Sequence, residues 1–193
     1  MFSLVKPPDF SWRYQVQFPL LAQLPPLLAY RYAAQVGQFW QARHMGGVAF
    51  IRQQMQEVYP EADAVQINKW IADYCAMVEQ EALDTWYLHN PEHLMSWVSF
   101  DHLEPVERAH HQGRRILMTS GHLGRFWLVG AALRTQGFSI GTLTRDGHKD
   151  NRHGLHPAEH RFRLWKLGRL KASLGGPFLV EGQSLRPLYT ALD

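Results

Sequence analysis

The amino-acid sequence predicts an α/β protein: an N-terminal helical region followed by an incomplete, mostly parallel sheet with crossover helices. Up to about residue 97, apolar side chains recur at helical spacing rather than in strict alternation. From residue 104, apolar runs too brief for a helix alternate with helix-length segments, the rhythm of strand–helix–strand units. A chain of 193 residues, 46% hydrophobic and 19% charged, can bury one respectable core and reads as globular throughout. The expected organisation is a single domain, with a helical region over residues 1–97 and a partial α/β core over 98–193.

The segment from Pro19 to Trp40 is rich in leucine and aromatic residues, with Arg31 inside it and Arg13 and Arg43 on either side. Such a helix can lie in a membrane interface, apolar side down, or pack on a core; the pattern leaves both open. An ordinary spanning helix is not expected. Gln23, Arg31 and Gln38 interrupt the roughly 18 apolar residues that one needs, and Pro25-Pro26 breaks its start.

Asp63 to Leu88 is the clearest helix. Asp63 can cap it with Gln66 at the third position after the cap, and Ile67, Trp70, Ile71, Tyr74 and Val78 form an apolar stripe that predicts core. Cys75, the single cysteine, falls within this pattern and is expected to be a buried thiol. It has no partner for an intrachain disulfide. Together with the lack of a cleavable signal peptide, this favours a reducing, cytoplasmic setting.

Further along, Glu104 to Gln112 reads as a short helix stopped by Gly113, and Arg115 to Thr119 as a buried strand. Leu123 to Thr135 reads as a helix closed by Gly137, and Phe138 to Thr144 as a second strand. Pro157 to Ser173 is a basic helix halted by Gly175-Gly176, Pro177 to Val180 a third strand, and Ser184 to Leu192 the start of another helix. Three short strands make a poor sheet, and no strand follows the last helix. The chain is therefore expected to be a fragment, or to have its sheet edge completed by a partner or left exposed.

The sharpest candidate site is the loop after the first of these strands, running from Thr119 through Gly121, His122 and Gly124 to Trp127. It joins the C-terminal end of a strand to the start of a helix, where open α/β sheets place ligands. Backbone amides at the helix start could stabilise an oxyanion, and the His122 imidazole could act as general base.

These residues carry a resemblance. Arg114 to Asp146, RRILMTSGHLGRFWLVGAALRTQGFSIGTLTRD, resembles the first catalytic block of the lysophospholipid acyltransferase superfamily, in the branch of lauroyl/myristoyl acyltransferases that finish lipid A. LLAQLPPLLAYRYAAQVGQFW is similar to that branch's N-terminal anchoring segment, VAFIRQQMQEVYPEAD to its next helix and turn, and SLRPLYTALD to a helix preceding a further strand.

The resemblance implies transfer of an acyl chain from an acyl carrier protein or coenzyme A thioester to a lipid-linked hydroxyl or amine. The setting implied is the cytoplasmic face of the bacterial inner membrane, with the chain peripheral or anchored through its N-terminus. It implies no cofactor beyond the donor and no metal. His122 would deprotonate the acceptor, Arg145 would steady negative charge, and Gly121, Gly124 and Arg125 would contact substrate. In one respect the chain departs from the family. The family has an acidic residue five positions after the histidine, where it orients the imidazole and stabilises its charged form; here that position is Trp127, and Arg125 replaces the usual asparagine. Asp146 or Glu181 would have to serve instead. A non-catalytic or truncated homologue that binds lipid or a partner is the alternative.

A rival reading uses His156-Pro157-Ala158-Glu159-His160, which matches the H-x-x-E-H pattern of certain zinc hydrolases and needs both histidines on one helical face. Pro157 instead places His156 at a helix cap, and with eleven histidines in the chain such a match arises readily by accident. The basic residues Arg161, Arg163, Lys166, Arg169 and Lys171 could dock an acidic carrier protein or phosphorylated headgroups, or simply be solvated. A net charge of +3 suits an anionic surface. No nucleic-acid motif accompanies the charge, so nucleic acid is not an expected partner.

Overall fold

The structure, a computed structural model, describes residues 10–41, 47–88, 90, 96–119, 121, 124–144, 151, 154–181, 184 and 186–192. These form two compact units, one of residues 10–86 with 156–162, the other of the remaining described residues. The predicted α/β class is what the chain adopts: helices dominate, with one small parallel sheet.

The first unit is helical. α1 (Phe10–Trp12) continues through a π-helical stretch (Arg13–Gln17) into α2 (Phe18–Leu21). α3 (Pro26–Val36) starts afresh because Pro25, itself followed by proline, is held at ψ 131°, outside helical space. A second π-helical stretch (Gly37–Gln41) ends it, so the predicted segment 19–40 is broken where its prolines fall. α4 (Val48–Val58) and α5 (Ala64–Tyr87) follow. The Gln66 amide donates to Asp63 Oδ1 at 2.8 Å, the cap that the sequence predicts for α5.

α5 is the core element. Ile67, Ile71, Cys75, Glu79 and Leu83 recur every fourth residue and are all buried. Val48, Ile51 and Met55 of α4 pack on the Ile67–Ile71–Cys75 cluster. α3 offers its small residues: Ala29 and Ala33 are buried, and a Cβ on Gly37 would overlap the Cys75 carbonyl oxygen, so only glycine lets the two backbones come so close. Among the described residues no helix is long and apolar enough to cross a membrane. The outward side of the N-terminal segment is nevertheless apolar, with Leu20, Leu24, Leu27, Leu28 and Phe39 exposed, Leu27 to 70%.

The apolar stripe read from the sequence hides two buried acids. Glu79 pairs with Arg13, both almost wholly buried, and the Tyr30 hydroxyl donates to Asp84 Oδ1 at 2.6 Å. Beside them Phe162 stacks on Tyr14 at 4.1 Å and on Trp86 at 5.5 Å between ring centroids. Burial pushes the Cys75 thiol above its ordinary range, with the Glu79 charge adding to the shift. Burial also raises Tyr14; Arg13 opposes this, while Glu159 and Glu79 reinforce it.

The second unit contains α6 (Glu104–His111), α7 (Trp127–Thr135), β1 (Ile140–Thr144), residues 163–174 of α8 (Pro157–Leu174), β2 (Gly175–Val180) and α9 (Arg186–Leu192). β1 and β2 pair in parallel, which requires a crossover, and α8 lies in the connection between them. Two sequence expectations are corrected here. Arg115 to Thr119 is not a strand, and Leu117 is 82% exposed. Its apolar run has strand propensity, but a strand exists only by pairing, and the sheet of the described residues holds β1 and β2 alone. Gly175-Gly176 ends α8 as expected but also begins β2. Gly175 turns the chain at φ +83°, and a Cβ on Gly176 would stand 2.6 Å from the Ile140 backbone.

Arg13→Met is expected to destabilise the fold by about 3–5 kcal/mol, because Glu79 becomes an uncompensated buried charge. The double variant Arg13→Met/Glu79→Leu should recover most of the loss; urea unfolding of the three proteins checks both. Cys75 and Tyr14 hold their protons more tightly in the folded state than in the unfolded one. Their contribution is therefore intact below the ordinary values of 9.0 and 10.0 and is lost as pH rises past them. The urea midpoint should fall between about pH 8 and about pH 10.5, and by less in Tyr14→Phe.

Candidate functional site

The loop leading into α7 is built around glycine. Gly124 sits at φ +57°, a left-handed conformation that costs a residue with a Cβ but not glycine. Gly121 and Gly124 are exposed, whereas Arg125 and Phe126 are partly buried as the chain turns into the helix. No side chain caps α7. The amides of Leu128 and Val129 donate to the carbonyls of Arg125 and Phe126, each at 3.1 Å. These two donors are committed to the helix, so any oxyanion contact must come from amides nearer the loop.

The structure thus brings Gly121, Gly124 and Arg125 together on one turn at the start of α7. His122 and Arg145 lie outside the described residues, as does Asp146. Thr144, which precedes Arg145 in sequence, is the last residue of β1, and its carbonyl accepts the Glu181 amide at 2.8 Å. Glu181, the other acid considered for pairing with His122, therefore stands at the C-terminal end of β2, beside the end of β1. That is the sheet edge at which parallel α/β folds hold ligands. Its side chain is exposed.

Trp127 opens α7. Its ring leans on Phe126 with centroids 5.0 Å apart, and the Lys166 ammonium lies 4.3 Å from its centroid. Where the resemblance leads one to expect a carboxylate, the chain has an aromatic face with a cation over it. Arg169 similarly covers Trp165 at 5.3 Å. Two of the five cations of the predicted basic helix are thereby held on aromatic rings, while Arg161, Arg163 and Lys171 are exposed. Sequence reasoning missed the Lys166–Trp127 pair because the two residues lie in separate elements with no local pattern linking them.

The H-x-x-E-H segment is the start of a helix. His156 Nδ1 accepts the Ala158 amide at 3.3 Å, acting as the cap that Pro157 predicts. The His160 amide donates to the His156 carbonyl at 2.9 Å, and His160 Nε2 is buried without a hydrogen-bond partner among the described residues. Among those residues no three His, Cys, Asp or Glu side chains are grouped so that they could hold a metal ion.

Comparison with known proteins adds one match. Residues 4–153 fit the family model described as bacterial lipid A biosynthesis acyltransferase, a span that includes the glycine loop, α7 and β1. No curated protein and no solved structure matches the chain.

If His156 is a cap, His156→Asn should leave stability within a few tenths of a kcal/mol and His156→Ala should cost about 1 kcal/mol. Thermal unfolding should be unchanged by a chelator. A chelator-induced drop would revive the metal reading.

Proposed function

Because the chain belongs to the bacterial lipid A biosynthesis acyltransferase family, we propose that it moves a fatty acyl group from an acyl carrier protein or coenzyme A thioester to a lipid-linked hydroxyl or amine. The observation that carries this reading is the placing of the glycine loop, with Gly121, Gly124 and Arg125, at the head of α7 inside the matched span. In this reading His122 takes the acceptor proton as the oxygen or nitrogen attacks the thioester carbonyl. Loop amides and Arg145 offset the negative charge of the tetrahedral intermediate, and the thiolate leaves. Gly121 and Gly124 let the acyl carbonyl come close to the backbone, and Arg125 meets a charged part of donor or acceptor.

The reaction would take place at the cytoplasmic face of the inner membrane. The exposed Leu20, Leu24, Leu27, Leu28 and Phe39 support that placement: an apolar outer side on short helices suits lying in the interface rather than crossing it. A second reading, a homologue that binds lipid without catalysing, is favoured by the single fact that Trp127 occupies the position of the family's acid.

Transfer from labelled acyl carrier protein and coenzyme A donors into membrane lipid extract distinguishes the two. His122→Ala should lower transfer about 10²- to 10⁴-fold while leaving sedimentation with lipid vesicles unchanged. Vesicle binding without transfer, in both the parent and the variant, would establish the binding homologue instead.

A further inference from the structure

Within the second unit, α7 meets residues 163–174 of α8 through successive residues of one face. Trp127, Gly130 and Arg134 are spaced i, i+3 and i+7 and share a side of the helix. Arg134 Nη1 donates to the Ala172 carbonyl at 2.6 Å, tying down the C-terminal end. Gly130 lies against Leu174 so closely that a Cβ there would overlap the leucine Cδ2. At the N-terminal end the matching contact is the Lys166 ammonium, 4.3 Å from the Trp127 ring centroid.

The two ends differ in what they support. The C-terminal end runs into a turn before β1, whereas the N-terminal end carries the glycine loop and has no capping side chain. A loop with two glycines and one left-handed residue has little stiffness of its own. Its placement is inherited from the residue on which it lands, Trp127. Of the aromatic side chains, indole attracts a cation most strongly, and partial burial, as at both Trp127 and Lys166, reduces the screening of that attraction by water.

We propose that Lys166 is a positioning residue for the site: its ammonium, held over the Trp127 ring, fixes the first turn of α7 and with it the Gly121–Phe126 loop. The role is indirect, since Lys166 acts through Trp127 rather than on a reacting atom. It rests on the reading of that loop as the acyl-transfer site and adds to it a residue outside the matched span.

The test compares Lys166→Met and Lys166→Arg in the full chain. Hydrogen exchange read by mass spectrometry should show amides of residues 121–130 exchanging about three- to thirty-fold faster in Lys166→Met, while Lys166→Arg, which keeps the cation, stays within about twofold of the parent. In the transfer assay Lys166→Met should lower kcat about tenfold with donor KM unchanged, and Lys166→Arg should restore it. Amides of α5 report global opening. Should Lys166→Met loosen those too, Trp127→Phe, which keeps a ring but weakens its hold on the cation, decides by the same local readout. Exchange over 121–130 that ignores the loss of the cation overturns the proposal, whether or not transfer is seen. A parent chain that transfers nothing, yet shows Met-sensitive exchange in the loop, upholds the positioning role and refutes the acyl-transfer reading instead.

Discussion

The pairing of Arg13 with Glu79 governs the helical unit, because a carboxylate buried in the middle of a long helix must be neutralised by something brought to it. α5 carries two such groups, Glu79 and Asp84, and both find partners in the N-terminal segment, the guanidinium of Arg13 and the hydroxyl of Tyr30. The segment is thus held by specific polar contacts, and the small residues Ala29, Ala33 and Gly37 let it approach closely enough to make them. Its inner side is taken up by small and polar groups. The leucines and Phe39 are consequently left on the outer side, where the first unit exposes a band of apolar surface.

A different constraint shapes the second unit. Parallel pairing of β1 and β2 cannot be closed by a hairpin, so a helix must intervene, and α8 ends on Gly175 immediately as β2 begins. The junction works because Gly175 accepts a left-handed turn and Gly176 tolerates the Ile140 backbone at a distance no side chain would allow. The same strand register sets Glu181 beside Thr144, so the C-terminal ends of both strands open toward one edge.

What the sequence made legible was whatever depends on neighbours along the chain. The Asp63 cap, the stripe of α5, the proline break before α3, the buried Cys75 and the helix–strand alternation after residue 104 all rest on local spacing, and all appear. What depends on pairing across the fold was not legible. Arg115 to Thr119 has the composition of a buried strand, but whether such a run becomes a strand is decided by a partner that no local pattern reveals. Glu79 and Asp84 were hidden for the same reason: on periodicity alone an acid in an apolar helix reads as a lapse onto the surface, and only Arg13 and Tyr30, more than fifty residues away, make it a core residue. Of the site, the loop glycines were visible because they punctuate the chain, whereas the cation over Trp127 comes from another element altogether.

That cation changes what the missing acid means. A carboxylate at position 127 would favour the protonated form of a nearby imidazole; an indole covered by an ammonium offers it no such stabilisation. Under the acyl-transfer reading, a neutral His122 can still accept a proton at neutral pH, but its conjugate acid gains less, and more of the transition-state charge falls to Arg145 and to the loop amides. The family match ends at residue 153, before α8 begins, so Lys166 lies outside the span that defines the family while Trp127 lies inside it. The two are complementary in chemistry and adjacent in space, an arrangement that leaves neither charge nor aromatic face unmatched. A site decaying through loss of its acid would have no reason to acquire a matched partner for the replacement. The geometry at Trp127 is therefore that of an altered joint rather than an empty one.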